Sequence, residues 1–463
     1  MLSRFTATPR ARFFLACAAG GALASIVFAY FLLEGRFNLF EPEFLSSFYD
    51  VQARALLDGH WDVPARSLAW ERFEIDGKFY TYFGPWPAFL RMPILALTHR
   101  LDGQLSRVSM LLAYGLLLAA VARLCWQART LVRGNGPPTR ATLLGAGGFV
   151  FLIGCGSTVL FLSGRTWVYH EALLWGLAWT LAAFSCFIAY VVDPTRRNLV
   201  LVSATATLAF LSRATVGSGP VLALGALLVV LVVARIVAAR RRATHASEAV
   251  VEPGPEASEP SWMRVLGIPG AAAARVRLWP LAVATAVPLA LYAYVNYSKF
   301  RSLYGLPLER QDIIVASDLG QRAFAANDGS ITGLTYLPTN LLQYFRPDAI
   351  GFDRFFPWVT FSREPRVIGS PVFIDIDFSA SITASSTLVL LLAVIGLIAI
   401  VRAPRPATAG SSAALLRIPV VLASVGAFVT LSIAYLQHRY EADFLPMFVM
   451  AGAAGLWYLA RLL

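Results

Sequence analysis

Runs of about twenty consecutive apolar residues recur along the whole chain, and no other feature constrains the fold as strongly. A hydrocarbon core about 30 Å thick needs roughly 20 residues of helix to cross it. Only helices or closed barrels satisfy all backbone polar groups in lipid. A barrel would show alternating segments of about ten residues, and the sequence has none. With 57% hydrophobic and 14% charged residues, the chain is predicted to be an all-α polytopic membrane protein. The net charge of +12 is read as cytoplasmic arginine that sets orientation, so no nucleic-acid partner is expected. Cys17, Cys125, Cys155 and Cys186 fall in or beside apolar runs, which suits small core residues better than disulfides or metal ligands.

Arg4, Arg10 and Arg12 precede the first run, 13–33, which places the N-terminus in the cytoplasm. This run is read as a retained helix and not as a cleaved leader. The next apolar segment, 85–98, is short and interrupted by Arg91 and Pro93, so it is expected to lie at the outer interface. Keeping it outside also puts Arg123, Arg129, Arg133 and Arg140 in the cytoplasm. Further spans are expected at 105–124, 141–162, 172–192, 199–211, 220–237, 278–297, 387–401, 418–436 and 444–460. The total is about ten, with both termini cytoplasmic. Residues 1–237 form an N-terminal transmembrane module with an outer loop at 34–104, and 238–277 a basic, low-complexity linker. Residues 278–463 form a C-terminal module with a large outer loop at 298–385.

The outer stretch 41–93 is unusually rich for a connector. It holds Glu41, Glu43 and Asp50, with an amphipathic helix expected in FLSSFYDVQARALLDG. Other outer turns each carry an arginine: Arg107, Arg165, Arg213 and Arg439. The planar fork of arginine matches phosphate oxygens, although arginines at helix ends also snorkel to lipid headgroups. Glu171 follows His170 at the mouth of a span, and Asp443 stands four residues after Arg439. A carboxylate beside a cationic pocket can act as a general base, or can simply pair with the arginines.

Arg54, Leu57, Gly59, Trp61, Val63 and Pro64, followed by an aromatic turn ending at Pro85, give this loop a pattern that resembles lipid-linked sugar transferases with the GT-C fold. The closest resemblance is to the bacterial lipid A aminoarabinose transferase and the protein O-mannosyltransferases, in an actinobacterial type of membrane enzyme. It covers roughly the first 215 residues and the last 30. The resemblance implies a polyprenyl-phosphate sugar donor and a catalytic acid at Glu43 or Asp50. It implies donor or substrate contacts at Arg54, Lys78, Arg107, Arg165, His170, Glu171, Arg213, His438, Arg439 and Tyr440. Family members often place a lysine before the proline of the aromatic turn. This chain has Phe83-Gly84-Pro85 there, so that role is vacant or falls to Lys78 or an arginine.

The function implied is inverting transfer of a sugar to a hydroxyl of a cell-envelope glycan, lipid or protein acceptor, on the outer face of a bacterial plasma membrane. The Arg- and Ala-rich composition suits a high-GC bacterium and favours arabinofuranose or mannose as the sugar. No ligand spacing demands a metal. A divalent cation, magnesium or manganese, is compatible with the carboxylates and is the only cofactor considered. The alternatives are a transporter or flippase of a lipid-linked substrate, for which the inverted repeat is missing, and a non-catalytic member of the fold.

Overall fold

The computed structural model describes residues 8–245, 266–348, 350–355, 359–361, 366–377, 379–403 and 412–462. The low-complexity centre of the expected 238–277 linker, EAVVEPGPEASEPS, lies outside the described residues, as do parts of the 298–385 loop.

The helices that matter for the site are α1 (Pro9–Leu32), α2 (Phe48–Leu57), α3 (Trp86–Leu95), α4 (Ser106–Arg133), α5 (Arg140–Cys155), α6 (Val168–Val192) and α7 (Arg196–Phe210). They continue as α8 (Ala214–His245), α9 (Leu278–Phe300), α10 (Leu337–Phe345), α11 (Thr387–Arg402), α12 (Arg417–Leu431) and α13 (Leu445–Leu462). Local chemistry sets several boundaries. Thr8, Thr139 and Thr195 cap α1, α5 and α7 by accepting an amide hydrogen from the first turn. Gly134, with φ of 78°, ends α4.

Among the described residues seven helices are long and apolar enough to cross a membrane, and an eighth counts if α5 and the turn Thr158–Gly164, bent by 42°, form one span. The chain is a multi-pass helical membrane protein. Among the described residues the expected total of about ten spans is not reached. Of the remaining segments, α7 has 15 residues and α11 has 16, which at 1.5 Å per residue fall short of a 30 Å core. The segment expected at 418–436 also ends early: α12 stops at Leu431, and Tyr435–Leu436 becomes a strand.

The long helices alternate in direction, so their connections collect at two ends. At one end the amide of Trp86 donates to Leu211 O (3.1 Å), Lys299 Nζ donates to Phe83 O (2.8 Å), and Arg213 pairs with Asp443. At the other, Asn198 Nδ2 donates to Asp193 O (2.8 Å) and Arg417 donates to Ala403 O (2.9 Å). Helix α6 sits at the centre: 83% of its most apolar window is buried, against 33% for α1. The last helix packs against the first and fourth, with Trp457 donating to Cys125 O (2.9 Å) and its ring 6.1 Å from Phe13. Helices α1 and α5 cross at Gly20 and Gly147 so closely that a Cβ on Gly20 would stand 2.0 Å from Gly147 O. Cys17, Cys125 and Cys186 are buried and Cys155 half-buried, all as free thiols.

The site end is a folded layer. Helices α2 and α3, ten residues each, are too short to cross and pack against one another. Between them runs a hairpin, β1 (Phe73–Ile75) with β2 (Lys78–Tyr80), in antiparallel register Phe73 to Tyr80. The long loop 298–385 adds a second hairpin, β3 (Ile350–Phe352) with β4 (Val359–Phe361). It also supplies β5 (Asp375–Ile376), which pairs in parallel with β6 (Tyr435–Leu436) ahead of α13.

Candidate active site

Two cavities open at the site end. The deeper has a volume of about 420 Å³ and is lined by Glu71, Tyr82, Tyr169, Arg213 and Tyr440, among others. The wider is about 800 Å³ and is lined by Phe161, Arg165, His170, Ser385 and His438. They meet at Trp167, Asp377 and Arg439, which line both.

The stretch that builds this junction is HRYEADF, residues His438–Phe444, a 3₁₀ turn. At three residues per turn, positions i and i+3 lie in one row. His438 therefore meets Glu441, with Nδ1 to Oε1 at 3.2 Å. The next acidic position, Asp443, lies in the row of Tyr440 and points into the bundle, where it accepts from Thr430 Oγ1 (2.5 Å) and pairs with Arg213 (3.4 Å). Arg439 shares its row with Ala442, which offers no charge. Its guanidinium lies over the rings of Tyr169 (4.3 Å) and Tyr440 (5.2 Å). Its Nε is enclosed without a hydrogen-bond partner, and among the described residues no carboxylate forms an ion pair with it. Two aromatic faces thus hold a cation that, among the described residues, has no carboxylate in ion-pair contact, while Glu71 and Asp377 act on it at longer range. Arg165, over Trp167 at 4.5 Å, adds a second positive charge on the wider cavity.

Glu71, Asp375 and Asp377 line the deeper cavity, with Asp443 below them. Glu71 is buried and accepts from Tyr169 Oη (2.7 Å) and Gln311 Nε2 (3.1 Å). Burial raises its pKa, against the hydrogen bonds of Tyr169 and the charge of Arg439. Asp375 accepts from Gln437. Asp377 reaches both cavities; burial first, then the neighbouring Asp375, pushes its pKa up, while Arg439 and Arg165 oppose them. A carboxylate raised in this way is better matched to proton transfer near neutral pH than an ordinary one.

Six of the twelve catalytic or contact residues that the resemblance implies come together here: Arg165, His170, Arg213, His438, Arg439 and Tyr440. The other six line neither cavity. Asp50 is 1% exposed, pairs with Arg91 Nε (2.8 Å) and accepts the amide of Leu105 (3.3 Å). Burial raises its pKa to about 6, a value suited to a base, but neither of the two cavities is lined by it. Glu171 takes the other side of Arg91 in a bidentate pair (2.7 and 2.9 Å) and accepts from Ser109 Oγ (2.5 Å). Glu43 accepts from Arg107 (2.8 Å) and from the amide of Thr166 (3.1 Å). Burial alone would raise the Glu43 pKa, and the bonds from Arg107 and Thr166 hold it below its usual value. Arg107 also holds Glu41 (2.9 Å), Arg54 ties Thr98 O and Asp102, and Lys78 pairs with Asp62 on the exposed hairpin. The carboxylates of Asp50 and Glu43, expected as base candidates, both face arginines that tie the loop to the bundle.

The turn Phe83-Gly84-Pro85 does meet a lysine, one the sequence did not point to. Lys299, 3% exposed on α9, donates to Thr81 O (3.2 Å) and Phe83 O (2.8 Å). Its ammonium is consumed by the backbone of the turn. Gly84 is needed there because a Cβ would stand 2.0 Å from Leu211 O. Sequence reasoning missed Glu71 and Asp377 as well. Glu71 sits in AWERF with no signal to mark it, whereas the alternation Asp375-Ile376-Asp377 could have marked the latter. Among the described residues no group of three or more His, Cys, Asp or Glu side chains is arranged to hold a metal ion.

No known family model and no curated protein sequence matches the chain. Among solved structures it is similar to the oligosaccharyltransferase of Archaeoglobus fulgidus in its apo form (TM-score 0.46, 13% identity, 96% of this chain and 51% of that one). It is likewise similar to the archaeal oligosaccharyltransferase AglB from Archaeoglobus fulgidus in complex with an inhibitory peptide and a dolichol-phosphate (TM-score 0.44, 14% identity, 96% and 51%). The chain spans about half the length of each.

Proposed function

We propose that this protein is a GT-C-type membrane glycosyltransferase that moves a sugar from a polyprenyl-phosphate donor to an acceptor hydroxyl with inversion. One observation carries the proposal: two cavities meet at Arg439, a cation with no ion pair among the described residues, beside the carboxylate of Asp377 and the ring of Trp167. The pattern of the first outer loop supports the same class.

In this reading the donor phosphate takes the place of the missing counter-ion at Arg439, with Arg213 and Arg165 on either side. The acceptor enters through the other cavity. Asp377 removes the proton from the acceptor hydroxyl, whose oxygen attacks the anomeric carbon from the face opposite the phosphate. The bond from that carbon to the phosphate oxygen breaks, and the lipid phosphate leaves with the electron pair. Guanidinium groups already aimed at the departing oxygen stabilise its growing charge. Glu71, fixed by Tyr169, Tyr82 and Gln311, orients sugar hydroxyls in the deeper cavity. Asp50, Glu171 and Glu43 act by holding the loop and the turn at Thr166. The sugar is arabinofuranose or mannose, the acceptor an envelope glycan, lipid or protein, and the site faces outward from a bacterial plasma membrane.

The test is transfer of labelled sugar from purified polyprenyl-phosphate donors by the protein in nanodiscs. Arg439→Gln and Asp377→Asn should each lower the rate by about 10²-fold or more. Absence of transfer from every donor, together with lipid movement between leaflets, would identify a transporter and overturn the proposal.

A further inference from the structure

At the opposite end of the bundle, about 22 Å away along α7, a groove of about 830 Å³ runs between α7 and α9. Its walls are apolar: Leu199 and Val200 from one helix, Val283 and Val287 from the other. Between these walls the two helix hydroxyls are satisfied, Ser203 donating to Ala284 O (2.8 Å) and Thr207 to Ser203 O (2.8 Å). The slot between α7 and α9 therefore suits hydrocarbon.

The mouth has the opposite character. Arg196, Arg275 and Arg277 line it, all exposed, beside Trp279, which is 71% exposed. Asp193 pairs with Arg275 at 3.7 Å between two exposed side chains, a weak contact. Among the described residues Arg196 and Arg277 form no ion pair. Three guanidinium groups face one carboxylate above a hydrocarbon-lined slot, and an exposed tryptophan marks the level of the headgroups.

We infer that this groove binds an anionic glycerophospholipid, with one acyl chain between α7 and α9 and the headgroup phosphate among Arg196, Arg275 and Arg277. The occupant follows from complementarity of both parts. A zwitterionic lipid would bring a cation to a mouth that already carries an excess of positive charge.

The test uses the full chain in detergent, titrated with phosphatidylglycerol or with phosphatidylcholine of the same acyl chains and followed by native mass spectrometry. Phosphatidylglycerol should bind about tenfold more tightly, and the triple variant Arg196→Gln/Arg275→Gln/Arg277→Gln should lose that preference. These side chains are exposed, so the variant should keep its melting temperature. Val283→Trp, which fills the groove without changing charge, should weaken binding of both lipids. Equal affinity for the two lipids, or a preference that survives the triple variant, overturns the inference. So does unchanged lipid binding by Val283→Trp, or displacement of the lipid by an equal concentration of inorganic phosphate.

Discussion

Arg91 lies between two carboxylates, and this arrangement predicts how Asp50 and Glu171 respond to neutralisation. The guanidinium is 2% exposed; Asp50 meets its Nε at 2.8 Å, and Glu171 meets its Nη2 with both oxygens at 2.7 and 2.9 Å. Glu171→Gln leaves Asp50 on Nε but weakens both contacts of Nη2 to the carboxylate, at about 1.5–3 kcal/mol each, and should cost about 3–5 kcal/mol in all. Asp50→Asn loses a single charge-assisted contact, worth about 1.5–3 kcal/mol, because Glu171 still neutralises Arg91. Unfolding entropy of about 2.1 cal/mol/K per residue over 463 residues gives about 1 kcal/mol per degree. The melting temperature in detergent should therefore fall by about 3–5 °C for Glu171→Gln and about 2–3 °C for Asp50→Asn. The double variant should differ from the sum of the two, since both act on the same guanidinium. Residual sugar transfer, corrected for folded protein, should stay within a few-fold of wild type for Asp50→Asn. A variant that melts as wild type does and yet abolishes transfer would refute this reasoning and return Asp50 to the role of base.

Three further outcomes follow from the same geometry. The acid limb of the pH–rate profile should lie above the ordinary carboxylate range, because Asp377 must be ionised and its pKa is raised. Asp375→Asn removes the neighbouring negative charge, eases ionisation of Asp377, and should move that limb to lower pH. Gly84→Ala forces the turn away from Leu211 O, which should cost about 1–3 kcal/mol, seen as a drop of about 1–3 °C on the same scale, together with reduced transfer.

Much of the scaffold is legible in the sequence because lipid makes blunt demands. Apolar runs located the helices, and Arg91 with Pro93 marked α3 as too short to cross. The arginines at helix ends were legible for the same reason: Arg107, Arg165, Arg213 and Arg439 are charges beside apolar runs, which either snorkel to headgroups or meet a charged partner. What they pair with was not legible. Arg91 and Glu171 are 80 residues apart, and Arg213 and Asp443 are 230 apart, so no local pattern reports either pair. Asp50 and Glu43 looked catalytic because a carboxylate in an outer loop has the same letters whether it faces a cavity or a buried guanidinium. Glu71 was hidden because its partners Tyr169 and Gln311 come from α6 and the far loop. Among the described residues the span count falls short at 199–211 and 387–401, where the apolar runs form helices of only 15 and 16 residues.

The central claim is that Arg439 is held without a protein counter-ion in order to receive a lipid phosphate. Binding of undecaprenyl phosphate and of undecaprenol, which lacks the phosphate, to wild type and Arg439→Gln tests it most directly. The account predicts that wild type prefers the phosphate by about tenfold or more, and that Arg439→Gln loses most of that preference while binding the alcohol as before. Equal binding of the two lipids by wild type, or a preference unchanged in Arg439→Gln, would contradict it.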